Sequence, residues 1–368
     1  MSDNKFTDDF ATSKQQGTVL VTVLLVVAFV AILVVEVNKT VTYQAHLNRN
    51  LMNRDQAYSY LKGMEELAKI YLKKSFDSEK EETVHLGQPW AQDDIVFPID
   101  GGAMSASITD MQSCFNLNSM GVVDEPNSAG VNSSPTNSGS PTSTTPTGSR
   151  SPQPSPPATG VPVITASEEI FTTLLEKVLD NSEIQPSALA AAVKDWIDED
   201  ATPTGPDGVE DIYYQGLEVP YLPPNGPIAH VSELRTIKSF DGGSYAKMLE
   251  YICVLPKGDD NKLNVNTIPT ERAELLYAAL GGKVTQKIVN EIISERPEDG
   301  YELQEFWEKV SSAATVKENL KERLDVTSRY FQMKAKAEIG RTKVHMKTLF
   351  IREDDNQFKV VSRYFGKE

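Results

Sequence analysis

The chain has 368 residues, with 36 Lys plus Arg against 52 Asp plus Glu and a formal net charge of −16. That length allows one or two folded domains, and the acidic balance opposes binding to a phosphate backbone, which is held by Lys and Arg. Two cysteines exclude a disulfide-stapled miniprotein, and their separation excludes a CxxC site. Cys114 and Cys253 either pair in an exported protein or stay as two buried thiols in a reducing compartment.

Residues 18–35 carry no charge and no proline, and with their neighbours they reach the roughly 20 residues that cross a bilayer. A buried core helix is the alternative, but it would show a polar stripe, and only Thr18 and Thr22 are polar here. Lys5 and Lys14 on one side are diluted by Asp3, Asp8 and Asp9, while Lys39 and Arg49 flank the other. The positive-inside rule therefore leaves the orientation open. A secretory signal places small residues after its apolar run; here the small residue, Gly17, comes before it. From Glu36 to Lys74 there is no proline, and Leu47, Leu51, Tyr58, Leu61, Ala68 and Leu72 recur at helical steps. The pattern predicts one helix over 18–74, with 18–37 in the membrane and the second half leaning on a globular domain.

The stretch "VFPIDGGAMSASITDMQSCFNLNSM" predicts a β-hairpin turning at Gly101-Gly102, with Met104, Ala106 and Ile108 on one face of the return strand. Residues 125–160 are mostly Ser, Thr, Pro, Gly and Asn with no aromatic side chain, which cannot bury enough surface to fold. From 167 to 323 the pattern is helical, beginning at "SEEIFTTLLEKVLD" with Ser167 as the expected cap. The last segment alternates with period two, and Asp354-Asp355-Asn356 reads as a hairpin turn. The expected fold class is α+β: a β part at 75–122, an unstructured insertion at 123–166, an inserted helical domain at 167–323 and a second β part at 324–368.

Catalysis finds no signature: the four histidines form no HExxH, and there is neither a GxSxG elbow nor a phosphate-binding loop. The densest polar cluster is "DWIDEDATPTGPDGVEDIYYQ", which holds Asp195, Asp198, Glu199, Asp200, Asp207, Glu210 and Asp211. One reading is a solvated acidic loop. The other is a hard-cation site, since such ions take six to eight oxygens and like charges on an ordered loop repel until a cation neutralises them. Trp196, Tyr213 and Tyr214 bracket the acids, which favours an ordered loop. "NKLNVNTIPTERAELLYAAL" with "VTQKIVNEII" resembles a helix-hairpin-helix unit, in which backbone N–H groups meet a phosphate. Glu271, Glu274, Glu291 and Glu295 surround its Gly281-Gly282 hairpin, so the scaffold reads as structural rather than as part of a membrane-tethered DNA-uptake protein.

Gly17 ahead of an apolar helix resembles the recognition site of prepilin peptidase. "FPIDGG", "FNLN", "DWIDED", "VSELR" and "LNVNT" together resemble the protein K family of type II secretion systems, which are minor pseudopilins. The resemblance spans nearly the whole chain outside 125–160, and the leader is more acidic than is usual for the family. It implies a non-enzymatic subunit with a pilin-like fold carrying a large helical insert, and removal of leader 1–17 by prepilin peptidase with methylation of Thr18. It also implies an inner-membrane anchor with the C-terminal domain in the periplasm, and a place at the filament tip, initiating assembly with minor pseudopilins I and J and other pseudopilins, without nucleic acid. The family's calcium loop is similar to residues 198–211, so Asp200, Asp207, Glu210 and Asp211, with Asp198 behind them, are the expected ligands. Thr22 stands where ordinary members hold a membrane-buried glutamate. In an exported protein Cys114 and Cys253, on either side of the insertion, are expected to pair.

Overall fold

The structure is a computed structural model that describes residues 16–76, 83–92, 95–121, 164–179, 184–256 and 262–366. The leader, apart from Gln16 and Gly17, and almost all of the 123–166 insertion lie outside these residues.

Helix α1 runs over Gln16–Phe76, 61 residues, or about 90 Å at 1.5 Å per residue. It is long and apolar enough from Thr18 onward to cross a membrane. Lys73 and Lys74 in its last turn face the negative end of the helix dipole. The expected stripe is only half right. Leu61, Ala68 and Leu72 are buried, together with Ala57, Met64 and Phe76, whereas Leu47, Leu51 and Tyr58 stay exposed. Strand length explains this. The longest strand has 11 residues, roughly 35 Å, which covers only about 23 residues of helix.

That sheet is antiparallel, in the order β1-β2-β7-β8-β9. Its strands are β1 (Ile95–Ile99), β2 (Gly102–Asp110), β7 (Tyr330–Ile339), β8 (Thr342–Arg352) and β9 (Phe358–Phe365). The predicted hairpin is present: Ile99 pairs with Gly102, Gly101 takes φ +80, and a Cβ on Gly102 would sit 1.7 Å from the Glu338 carbonyl oxygen. Met104, Ala106 and Ile108 pack toward α1. The 354–356 turn is also present, closed by Asn356 at φ 57 and by the Asn356 N–H donating to Glu353 O at 2.9 Å.

The chain leaves the sheet at Asp110 and returns at Tyr330, and the described residues between form a second, mainly helical body. Its elements are β3 (Phe115–Asn116), α2 (Ala166–Val178), α3 (Pro186–Ile197), α4 (Asp211–Gln215), α5 (Gly242–Met248), β4 (Ile252–Cys253), β5 (Leu263–Asn264), α6 (Ala273–Ala279), α7 (Gln286–Ser294), α8 (Leu303–Ser311), α9 (Glu318–Lys321) and β6 (Leu324–Asp325). The body is wider than the expected 167–323. Phe115, Leu117 and Met120 lie in its core, as do Leu324 and Val326, because β3 pairs with β4 and β5 with β6, both parallel. The α2 cap is Thr165 rather than Ser167. Thr165 Oγ1 accepts from the Glu168 N–H at 3.2 Å, and Glu168 accepts from the Thr165 N–H, a capping box with the T-x-x-E spacing that these two residues carry in the sequence.

"FNLN" and "LNVNT" do the same work at two places. Asn116 Oδ1 accepts from the Asn118 N–H, and Asn264 Oδ1 accepts from the Asn266 N–H. The second asparagine of each pair then clamps both backbone groups of one distant residue. Asn118 holds Ile228, and Asn266 holds Tyr301. The body thus has two halves of like construction.

Candidate cation site

Helix α3 ends at Ile197, and Asp198 caps it by donating its N–H to the Lys194 carbonyl at 2.9 Å. The acidic loop then turns back to α4 under the control of Asp195. That side chain is buried and spent on the backbone: Oδ1 accepts from the Thr204 N–H at 2.9 Å and Oδ2 from the Val209 N–H at 2.5 Å. Gly208 is required there, since a Cβ would lie 2.5 Å from Asp195 Oδ2 and 2.4 Å from the Thr204 nitrogen. Beneath the loop Trp196 meets Tyr214 edge-on at 5.3 Å, and Tyr214 meets Tyr221 at 5.2 Å. Glu233, from "VSELR", accepts from the Trp196 indole N–H at 3.4 Å and from the Ala229 and His230 N–H groups.

This frame brings Asp198, Asp200 and Glu210 together, with one oxygen of each within 4.8 Å of the others. Glu210, at the N-cap of α4, is 5 % exposed, and neither of its carboxylate oxygens has a hydrogen-bond partner. Burial, and then the charges of Asp195, Asp198, Asp200 and Asp211, push its pKa up to about 7. Asp200 spends Oδ1 on the Thr202 N–H at 2.7 Å. Of the other two expected ligands, Asp207 is exposed on the loop, and Asp211 accepts from Asn225 Nδ2 at 3.3 Å; neither belongs to the trio. Asn225, whose Oδ1 is buried without a partner, gave no sequence signal beyond an Asn-Gly pair in a Pro-rich turn. Three converging carboxylates, one of them with both oxygens unbonded, fit a hard, oxygen-seeking cation and suit a thiolate-seeking metal poorly.

The other expected sites fall apart from this one. Cys114 and Cys253 form a disulfide with Cα atoms 5.8 Å apart. Thr22 lies in the apolar half of α1 and donates its hydroxyl to the Val19 carbonyl at 2.9 Å. Gly17 and Thr18 are within α1. The helix-hairpin-helix-like turn is closed to a phosphate. The Gly281 and Gly282 N–H groups are bonded to the Ala278 and Tyr277 carbonyls, and a Cβ on Gly281 would meet Leu320 at 2.7 Å.

Two family profiles described as type II secretion system (T2SS), protein K, match residues 113–257 and 263–327. Those segments coincide with the two halves of the helical body. Type II secretion system protein K of Aeromonas hydrophila is 30% identical over 354 residues, covering 96% of this chain and 98% of that protein. The chain belongs to the type II secretion system protein K family. The protein K of Dickeya chrysanthemi is 33% identical over 96% of this chain and 97% of its own length. A crystal structure of the GspK-GspI-GspJ complex from the enterotoxigenic Escherichia coli type 2 secretion system matches with a TM-score of 0.67 and 25% identity. It covers 87% of this chain and 99% of its counterpart. The chain is therefore a type II secretion component with a pilin-like fold.

Proposed function

We propose that this protein K is the minor pseudopilin at the tip of a type II secretion pseudopilus, where it initiates assembly with pseudopilins I and J. Its match to GspK, solved in complex with GspI and GspJ, supports the partners. The observation that carries the tip position is where the helical body joins the sheet. Helix α1 starts in the apolar segment and ends at Phe76, which packs on Phe331 and Phe358. Phe331 pairs with Asp110, so the body leaves the sheet at the end farthest from the membrane helix. There it caps the pilin-like part and obstructs the stacking of a further subunit above it.

Thr22 agrees with this position. Its hydroxyl is spent within its own helix, so it offers no charge to the N-terminus of a subunit ahead of it; an unpaired charge in hydrocarbon costs about 2.5–3.5 kcal/mol. In this reading prepilin peptidase cuts between Gly17 and Thr18, and the new N-terminus is methylated. The anchor lies in the inner membrane and the folded part in the periplasm. Asp198, Asp200 and Glu210 hold a calcium ion, whose role is to cancel the repulsion at the start of α4, with Asp207 and Asp211 adding negative charge around it. Mass spectrometry of the membrane-extracted chain tests the processing: a mass starting at methylated Thr18 supports it, and an intact chain from Met1 contradicts it.

A further inference from the structure

Ile212 is 87 % exposed, Val219 78 % and Leu222 61 %. All three belong to one short excursion of the chain, α4 and the loop behind it. Within it the Tyr221 N–H donates to the Tyr214 carbonyl at 3.4 Å, closing the turn that carries Val219 between Ile212 and Leu222 in the chain. Single exposed apolar residues scattered on a surface call for no explanation; three within one short ordered segment are not scattered. The loop is ordered by its base: Tyr214 is fully buried, and the Tyr221 hydroxyl donates to the Thr236 carbonyl at 2.5 Å. Pro220, Pro223 and Pro224 restrict the rest, so little freedom remains to be lost when a partner binds. Tyr213 and Tyr221 add partly exposed rings beside the aliphatic groups, the residue type that dominates binding energy in interfaces.

The surroundings are acidic. Glu218 lies within the loop, Asp211 opens α4, and exposed Glu199, Asp200 and Asp207 lie on the adjoining turn. The cations recorded beside it are Lys238, over the Tyr213 ring at 4.9 Å, and Lys194, which acts on Asp195. One calcium ion among these groups would leave the neighbourhood negative. We propose that this loop is a docking surface for a cationic, apolar polypeptide segment of another protein, whose aliphatic groups cover Ile212, Val219 and Leu222 and whose Lys or Arg side chains meet the acidic rim. An anionic lipid surface has apolar depth to offer but the wrong charge for this rim, which is why a protein segment is favoured.

The test uses the full chain in nanodiscs of neutral lipid and a synthetic amphipathic Lys/Leu peptide, with a Glu/Leu peptide of equal length as control. Ile212→Ser/Val219→Ser/Leu222→Ser leaves every charge in place. The Lys/Leu peptide should bind the native chain, bind this variant at least tenfold more weakly, and outcompete the Glu/Leu peptide. Equal binding to native and variant chains reduces the surface to bulk charge and overturns the proposal. So does no peptide binding at all, or recruitment of phosphatidylglycerol vesicles without peptide binding.

Discussion

Glu65 has no solvent exposure, yet it sits in α1 under the sheet as a carboxylate, held by Arg363 of β9 at 2.5 and 2.8 Å and by Lys62 at 3.0 Å. Burial alone would raise its pKa; the hydrogen bonds and charges of Arg363 and Lys62 outweigh burial and lower it from 4.5 to about 2. Because the folded value lies below the unfolded one, the pair stabilises the fold above pH 4.5, and that stability drains away between about pH 4.5 and 2. Arg363→Met should therefore cost about 3 kcal/mol at neutral pH, since it leaves a buried charge with Lys62 as its cation and the Thr348 hydroxyl as a neutral donor. Denaturant midpoints should show a smaller loss near pH 3; an equal loss at both pH values contradicts the assignment. In the acidic loop, sequence disclosed the carboxylates but not their division of labour. Asp195 looks like its neighbours in the chain, and only the fold shows that its oxygens are consumed by Thr204 and Val209, while those of Glu210 are left unbonded. Glu210→Gln should consequently raise the melting temperature of the metal-free protein, by removing a repelled buried charge, and abolish the rise that calcium gives the native chain. At 100-fold excess over its dissociation constant that rise corresponds to about 2.7 kcal/mol. A native melting temperature indifferent to calcium and chelator refutes the site.

Among the elements, the ones read best were those whose signal is local. The hairpin at Gly101-Gly102, the turn at 354–356 and the long helix carry their geometry in glycine, asparagine and uninterrupted periodicity. The limits of the helical body depend on pairings between distant residues, which no local pattern discloses. "FN" at 115–116 looks like the end of a sheet strand until Ile252-Cys253 lies beside it; the cap of α2, by contrast, is legible as the T-x-x-E from Thr165 to Glu168, two residues ahead of Ser167. The Cys114–Cys253 bond reinforces that same pairing across 139 residues of sequence separation, so closing the loop contributes on the order of 4–5 kcal/mol by chain entropy. Reduction, or Cys114→Ser with Cys253→Ser, should lower the denaturant midpoint accordingly, and an unchanged midpoint rules the contribution out. The two asparagine clamps give a second expectation at this scale. Asn118→Ala strands the Ile228 N–H and carbonyl, and Asn266→Ala strands those of Tyr301. Each should cost about 2–4 kcal/mol, because abandoned buried partners carry the desolvation penalty. Stability changes below about 0.5 kcal/mol, the level of ordinary surface substitutions, would show that the clamps are incidental.

At the scale of the whole molecule, α1 is partly bare. The sheet covers it only from about Ala57 to Phe76, and the apolar side chains of Val41, Tyr43, Leu47, Leu51 and Met52 remain exposed between the membrane segment and the folded part. Sequence periodicity showed that these residues share the helix with the packed ones but not where the sheet would stop. The helical body lies at the opposite extreme, leaving the sheet beside Phe76 and Phe331, so anchor and cap are separated by the length of the helix. The proposed tip position rests on that polarity: the apolar end of α1 lies at one extreme and the helical body at the other. The direct measurement is labelling of this chain along purified pseudopili, with gold against a small tag on the described C-terminal strand. The account predicts one label per filament, at one end; label distributed along the shaft contradicts it.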